Sequence, residues 1–109
     1  MEVLHPTDDE FLVILQQYPI VVADFCANWC APCTILSKTI DKLSDEYGDK
    51  IAVVKIDVDT YGALARSYKI HSIPTVLIFR NAKFQAQIIG VTKKKDYKRL
   101  IEEALAEKE

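Results

Sequence analysis

The sequence predicts an α/β protein in which helices sandwich a mixed β-sheet. Three observations carry that prediction. Apolar residues recur at helical spacing around 8–17, 31–47 and 94–107. Between them lie short β-branched runs at 20–26, 51–58 and 74–79. The last run is followed by a turn and a further run at 84–89, so strands come both singly between helices and as a terminal hairpin.

Each element has its own signals. Thr7-Asp8-Asp9-Glu10 has the form of a capping box, and Phe11, Leu12, Ile14 and Leu15 supply the apolar side of the first helix. Tyr18-Pro19 ends it, because a residue before proline avoids helical geometry. Ile20-Val21-Val22-Ala23-Asp24-Phe25-Cys26 is nearly all apolar and reads as a strand buried on both faces, interrupted by Asp24. In the second helix Ile35, Leu36, Ile40, Leu43 and Tyr47 face inward, and Gly48 stands where a C-terminal cap belongs. The strand at 51–58 carries Lys55 and Asp57 as polar breaks. Asp59 or Thr60 is placed to cap a short helix at 61–69. Strands separated by helices favour parallel pairing. The hairpin turn is Arg80-Asn81-Ala82-Lys83, where Asn81 suits a positive φ and Ala82 does not. The final helix turns Tyr97, Leu100, Ile101, Ala104 and Leu105 inward.

A chain of 109 residues is sized for one domain, residues 1–109. It can bury roughly two thirds of its unfolded surface, so its core needs no staples. With 50% hydrophobic and 28% charged residues, the composition is globular. A net charge of −2, with both signs interspersed, gives nucleic acid or an anionic membrane nothing to recognise. No apolar run approaches the roughly 20 residues that span a bilayer. The acidic start MEVLHPTDDE lacks the features of a signal peptide, so the expected compartment is the cytoplasm, unless a targeting segment has been removed.

All three cysteines fall in Phe25-Cys26-Ala27-Asn28-Trp29-Cys30-Ala31-Pro32-Cys33. In a reducing compartment such a cluster points to chemistry or metal more than to a staple. Cys30 falls on the loop that opens the second helix, and Pro32 suits that helix's first turn. The unpaired N–H groups and partial positive charge of a helix N-terminus favour a thiolate, so Cys30 is expected to have a lowered pKa. Cys33 lies one turn inside. That spacing lets it reach Cys30 while more sheltered, the exposed attacker and buried resolver of thiol–disulfide exchange.

Trp29-Cys30-Ala31-Pro32-Cys33, with Val22-Ala23-Asp24-Phe25 before it and Ser72-Ile73-Pro74-Thr75 after it, resembles the thioredoxin family. The likeness runs over nearly the whole chain, from Thr7-Asp8-Asp9 to the last helix. The resemblance implies a sheet of four to five strands flanked by helices on both faces. It implies a protein-disulfide reductase in which Cys30 attacks and Cys33 resolves. Asp24 would be the buried acid beneath Cys33, serving through water as its base, and Lys55 would lie near Asp24 and tune it. Pro74 would be a cis proline. The backbone of Ser72 and Ile73 would pair with the substrate chain. Trp29, Ala31, Pro32, Ile73, Val58, Gly90 and Val91 would complete the docking surface. No bound cofactor is implied, since the two cysteines carry the electrons, supplied by NADPH through a thioredoxin reductase. Disulfide-containing client proteins would be the other partners of a monomer that binds neither nucleic acid nor membrane.

Departures from the family pattern are local. Ala31 replaces the usual glycine, a position that influences the redox potential. Cys26 replaces a common tryptophan and reads as a small buried hydrophobe before it reads as a third redox thiol. The second helix lacks a proline near Lys38, Ala82 replaces a turn glycine, and the family's first strand shrinks to Glu2-Val3-Leu4.

Rival readings are weaker. Cys26-x3-Cys30-x2-Cys33 matches the spacing of a cluster-binding motif, yet three glycines cannot supply the cofactor loop that such proteins use. A zinc site would need His5 or His71 without supporting spacing. An oxidase or isomerase of the same fold remains open at Ala31, although Pro32 in place of a histidine favours a reductant. A docking module using the surface around Trp29 and Pro74 is the reading from another class. His71 reads as an exposed loop residue.

Overall fold

A computed structural model describes Val3 and residues 8–107. The capping box at Thr7, His5 and the short first strand apart from Val3 lie outside the described residues. Val3 is not in a strand.

The elements are α1 (Asp8–Gln17), β1 (Ile20–Cys26), α2 (Ala31–Tyr47), β2 (Ala52–Asp57), α3 (Gly62–Ser67), β3 (Thr75–Arg80), β4 (Lys83–Ile89) and α4 (Lys94–Ala106). Among the described residues the sheet has four strands in the order β2-β1-β3-β4. Pro32 at the start of α2 and Gly48 at its end, with φ of 54°, place that helix where the sequence predicts it.

The sheet has two core faces, and strand alternation writes both. Val21, Ala23, Phe25, Val54, Ile56, Leu77 and Phe79 pack against α1 and α3. Ile20, Val22, Ile51, Val53, Val76 and Ile78 pack against Leu36, Ile40 and Leu43 of α2 and Tyr97, Ile101 and Ala104 of α4. Asp24 falls on the second face by the same alternation.

Pairing differs from the sequence expectation at one strand. β1 and β2 run parallel, joined by α2. β3 is antiparallel to β1 even though α3 intervenes between β2 and β3. A helix between two strands gives a parallel pair only when the chain recrosses the sheet. The chain does not recross the sheet, so β3 starts at the end where β1 and β2 finish. Phe25 therefore pairs with Thr75. This brings the segment before Thr75 beside the loop that follows β1.

Three apolar residues face outward where inward was expected: Leu12, Ile35 and Leu105 are 54%, 62% and 38% exposed. Each neighbours a better-placed apolar residue, and the buried arc of a helix holds only one of two adjacent positions. The expected caps of α3 also differ. Asp57 Oδ1 accepts the N–H groups of Asp59 at 2.9 Å and Thr60 at 3.3 Å, forming the turn that leads into the helix, and Tyr61 takes the cap position. In the hairpin, Asn81 and Ala82 have φ of 51° and 68°.

Candidate active site

The site forms where the carboxyl ends of β1 and β2 meet the N-terminus of α2 and the segment before β3. Cys30 is the N-cap of α2, and its Sγ accepts the N–H of Cys33 at 3.3 Å. A hydrogen-bond donor and the positive end of a helix both stabilise negative charge on that sulfur. From across the cleft, the carbonyl oxygen of Ile73 lies 4.0 Å from Cys30 Sγ. The Ile73–Pro74 peptide is cis, as the resemblance implies. Gly90 N–H donates to Pro74 O at 2.8 Å and Thr75 Oγ1 to Ser72 O at 2.7 Å, which fixes this segment.

Burial does not separate the two cysteines as the sequence spacing suggests. Cys30 is 6% exposed and Cys33 3%. The Ile73 segment lies close over Cys30, so the leading sulfur is also largely covered. The thiols differ in their hydrogen bonding, since Cys30 Sγ accepts the Cys33 N–H. Burial first, then the neighbouring Cys30 thiol, pushes Cys33 up to about 11. Cys33 keeps its proton at neutral pH unless a base removes it.

Asp24 is the candidate base. It is fully buried, and neither carboxylate oxygen has a hydrogen-bond partner. Burial raises its pKa from 3.8 to about 6, while the Cys26 thiol and the Lys55 ammonium pull it down and Asp41 pushes it up. Lys55 is Asp24's register partner on β2. Its ammonium, however, donates to Ser37 Oγ at 2.6 Å and pairs with Asp41 Oδ1 at 2.8 Å. The expected proximity of Lys55 to Asp24 is present, with both of Lys55's short contacts made to α2. A cavity of about 350 Å³ runs beside these groups, lined among others by Cys26, Cys33, Ser37, Lys55 and Asp57.

Cys26 is half-buried and lines that cavity, so it is less enclosed than the small core residue expected. Burial and then Asp24 raise its thiol well above the usual range, which keeps it protonated. All three thiols are free. Among the described residues no group of three or more His, Cys, Asp and Glu side chains is arranged to hold a metal ion. His71 is exposed, as expected.

The remaining residues named from the sequence differ in exposure. Trp29 is 71% exposed, and its Nε1–H donates to Asp59 Oδ2 at 2.7 Å, which holds the indole at the surface. Ala31, Pro32, Ser72 and Val91 are exposed; Val58, Ile73 and Gly90 are half-buried; Pro74 is buried. Sequence reading missed Ser37, Asp41 and Asp59. One signal was available: Cys33, Ser37 and Asp41 recur every fourth residue and form a polar stripe down α2.

Two neighbouring thiols at a helix N-terminus can carry out thiol–disulfide exchange. The family model for thioredoxin matches residues 2–103. A chloroplastic M-type thioredoxin of Spinacia oleracea is 42% identical over 94 residues, 86% of this chain and 51% of the relative. Thioredoxin of Bacillus subtilis is 33% identical over 105 residues, 96% of this chain and 100% of the relative. A mutant thioredoxin from Halobacterium salinarum superposes with a TM-score of 0.87 at 29% identity, covering 98% of this chain and 92% of that one. The chain spans about half the length of the spinach relative and of a chloroplastic relative from Oryza sativa, 51% and 55%. The chain belongs to the thioredoxin family, and its fold is the thioredoxin fold.

Proposed function

We propose that this protein reduces disulfides in client proteins by dithiol exchange. The observation that carries the reading is Cys30 Sγ, set at the N-cap of α2 with the Cys33 N–H on it and the Ile73–Pro74 segment facing it. Cys30 thiolate attacks one client sulfur, and the other client sulfur leaves as a thiolate that takes up a proton. Cys33 loses its proton to Asp24, through water, and attacks Cys30 Sγ. The Cys30–Cys33 disulfide forms, the mixed disulfide breaks, and the second client thiolate leaves. Two electrons pass from the dithiol to the client. Asp24, at about 6, is ionised at neutral pH and free to accept. Lys55 tunes it.

Trp29, Ala31, Pro32, Val58, Ile73, Gly90 and Val91 form the docking surface around the cleft. The backbone of Ser72 and Ile73 pairs with the client chain, and Thr75 Oγ1 steadies that segment by donating to the Ser72 carbonyl. A thioredoxin reductase drawing on NADPH returns the dithiol state, and the protein works as a monomer in a reducing compartment, the cytoplasm. No described helix is long and apolar enough to cross a membrane.

The test is trapping. Cys33→Ser incubated with a disulfide-bonded client accumulates a mixed disulfide, located on Cys30 by peptide mass spectrometry. Cys30→Ser forms none and loses turnover with dithiothreitol. Turnover surviving in Cys30→Ser sinks the reading.

A further inference from the structure

Asp24 and Lys55 are register partners on adjacent parallel strands. By alternation both side chains emerge on the face covered by α2. A buried carboxylate and an ammonium placed this way should close into an ion pair. They do not. Both Asp24 oxygens lack a partner at 0% exposure. The ammonium instead turns up to α2, where Ser37 and Asp41, four residues apart on one helix face, take it at 2.6 and 2.8 Å.

We infer that Ser37 and Asp41 are positioning residues of the thiol chemistry: they tether Lys55 to α2 and so keep Asp24 unpaired beneath Cys33. The inference rests on the dithiol reading above. Its chemical sense follows from what a base needs. A carboxylate locked to Lys55 would be a weak base for a thiol that burial holds near 11. With the ammonium held back, Asp24 takes and releases a proton near neutrality. Asp41 contributes twice, since its own negative charge also disfavours ionisation of Asp24. The other titratable groups facing Asp24 are Cys26 on its own strand, Cys33 on α2 and Tyr97 on α4. Burial lifts all three, and they carry no charge at neutral pH.

Ser37→Ala separates tether from charge, because it removes a contact and no charge. The Asp41 side chain is 54% exposed, so Asp41→Asn leaves the core intact. The Asp24 carboxyl carbon is titrated by NMR in the full chain and both variants. The inference predicts a lower midpoint in each, with Asp24 losing about threefold or more in proton affinity, the scale of one screened charge at this range. The loss is larger in Asp41→Asn. In the same variants the acid limb of Cys33's resolution of a Cys30 mixed disulfide moves to lower pH and its plateau falls, since the base ionises earlier and is weaker. An unmoved or raised midpoint in Ser37→Ala overturns the tether. The two readings fail separately: absent disulfide exchange in the unmodified chain removes the dithiol reading, whereas exchange with an unmoved Asp24 midpoint removes only the tether.

Discussion

The two faces of the sheet are built from the same strands by the same alternation, yet they differ in what they bury. The α1 and α3 face holds aromatic and aliphatic side chains, with Phe11 set edge-on to Tyr68 at 5.7 Å and to Phe79 at 5.8 Å. The α2 and α4 face is equally apolar through most of its area, then places one unpaired carboxyl at its cysteine end. Local rules of strand and helix formation treat the faces alike. The difference lies in two changes of kind, Asp24 and its register partner Lys55, in positions that packing alone would fill with aliphatic residues. One face therefore only stabilises, and the other gives up stability to hold a buried carboxyl without a hydrogen-bond partner.

That contrast can be broken from either side. The largest effect should come from the purely apolar face: Phe11→Ala should destabilise by about 3–5 kcal/mol in denaturant titration, through lost burial and the cavity left behind. It should leave the titration of Asp24 unmoved, since it touches the opposite face.

On the other face, Asp24→Asn should stabilise. A carboxyl with a higher pKa folded than unfolded binds more protons in the folded state, so stability falls as pH rises through the window from 3.8 to about 6 and is level above it. A rise of that size is worth roughly 3 kcal/mol. The variant should gain up to that amount at neutral pH, gain nothing in acid, and lose the slope between. A loss of stability at neutral pH would mean that the carboxylate is paired.

The smallest effect lies outside both faces. Ala82 has φ of 68°, in the left-handed region. Ala82→Gly should gain about 1 kcal/mol by relieving the Cβ clash there, without altering redox behaviour. An unchanged or lower midpoint in denaturant would show that the turn carries no such strain.

What was legible in the sequence follows the same division. Elements announced by punctuation were readable: Pro32 and Gly48 bound α2, and the Asn81 turn set the hairpin. Asp24 and Lys55 stood out because each interrupts an apolar strand. Other features depended on tertiary geometry. The direction of β3 depends on where the chain between Asp57 and Thr75 returns to the sheet, which no local pattern states. Leu12, Ile35 and Leu105 belong to apolar stripes wider than the buried arc. Ser37 and Asp41 show in the sequence only as a polar stripe with Cys33, because only the fold brings Lys55 to them. Asp59 and Thr60 both suit a cap by position, but Asp57 makes the turn and Asp59 holds Trp29.

The most direct test of the redox assignment is an equilibrium titration of the full chain in dithiothreitol buffers, with free thiols trapped and mapped by mass spectrometry. Cys30 and Cys33 should lose their thiols together in one two-electron transition while Cys26 stays free. A midpoint near roughly −270 mV, the general value for thioredoxin and not one obtained from this chain, would mark a reductant. A midpoint about 100 mV higher would instead make it an oxidant or isomerase. Absence of a transition between Cys30 and Cys33 would contradict the account.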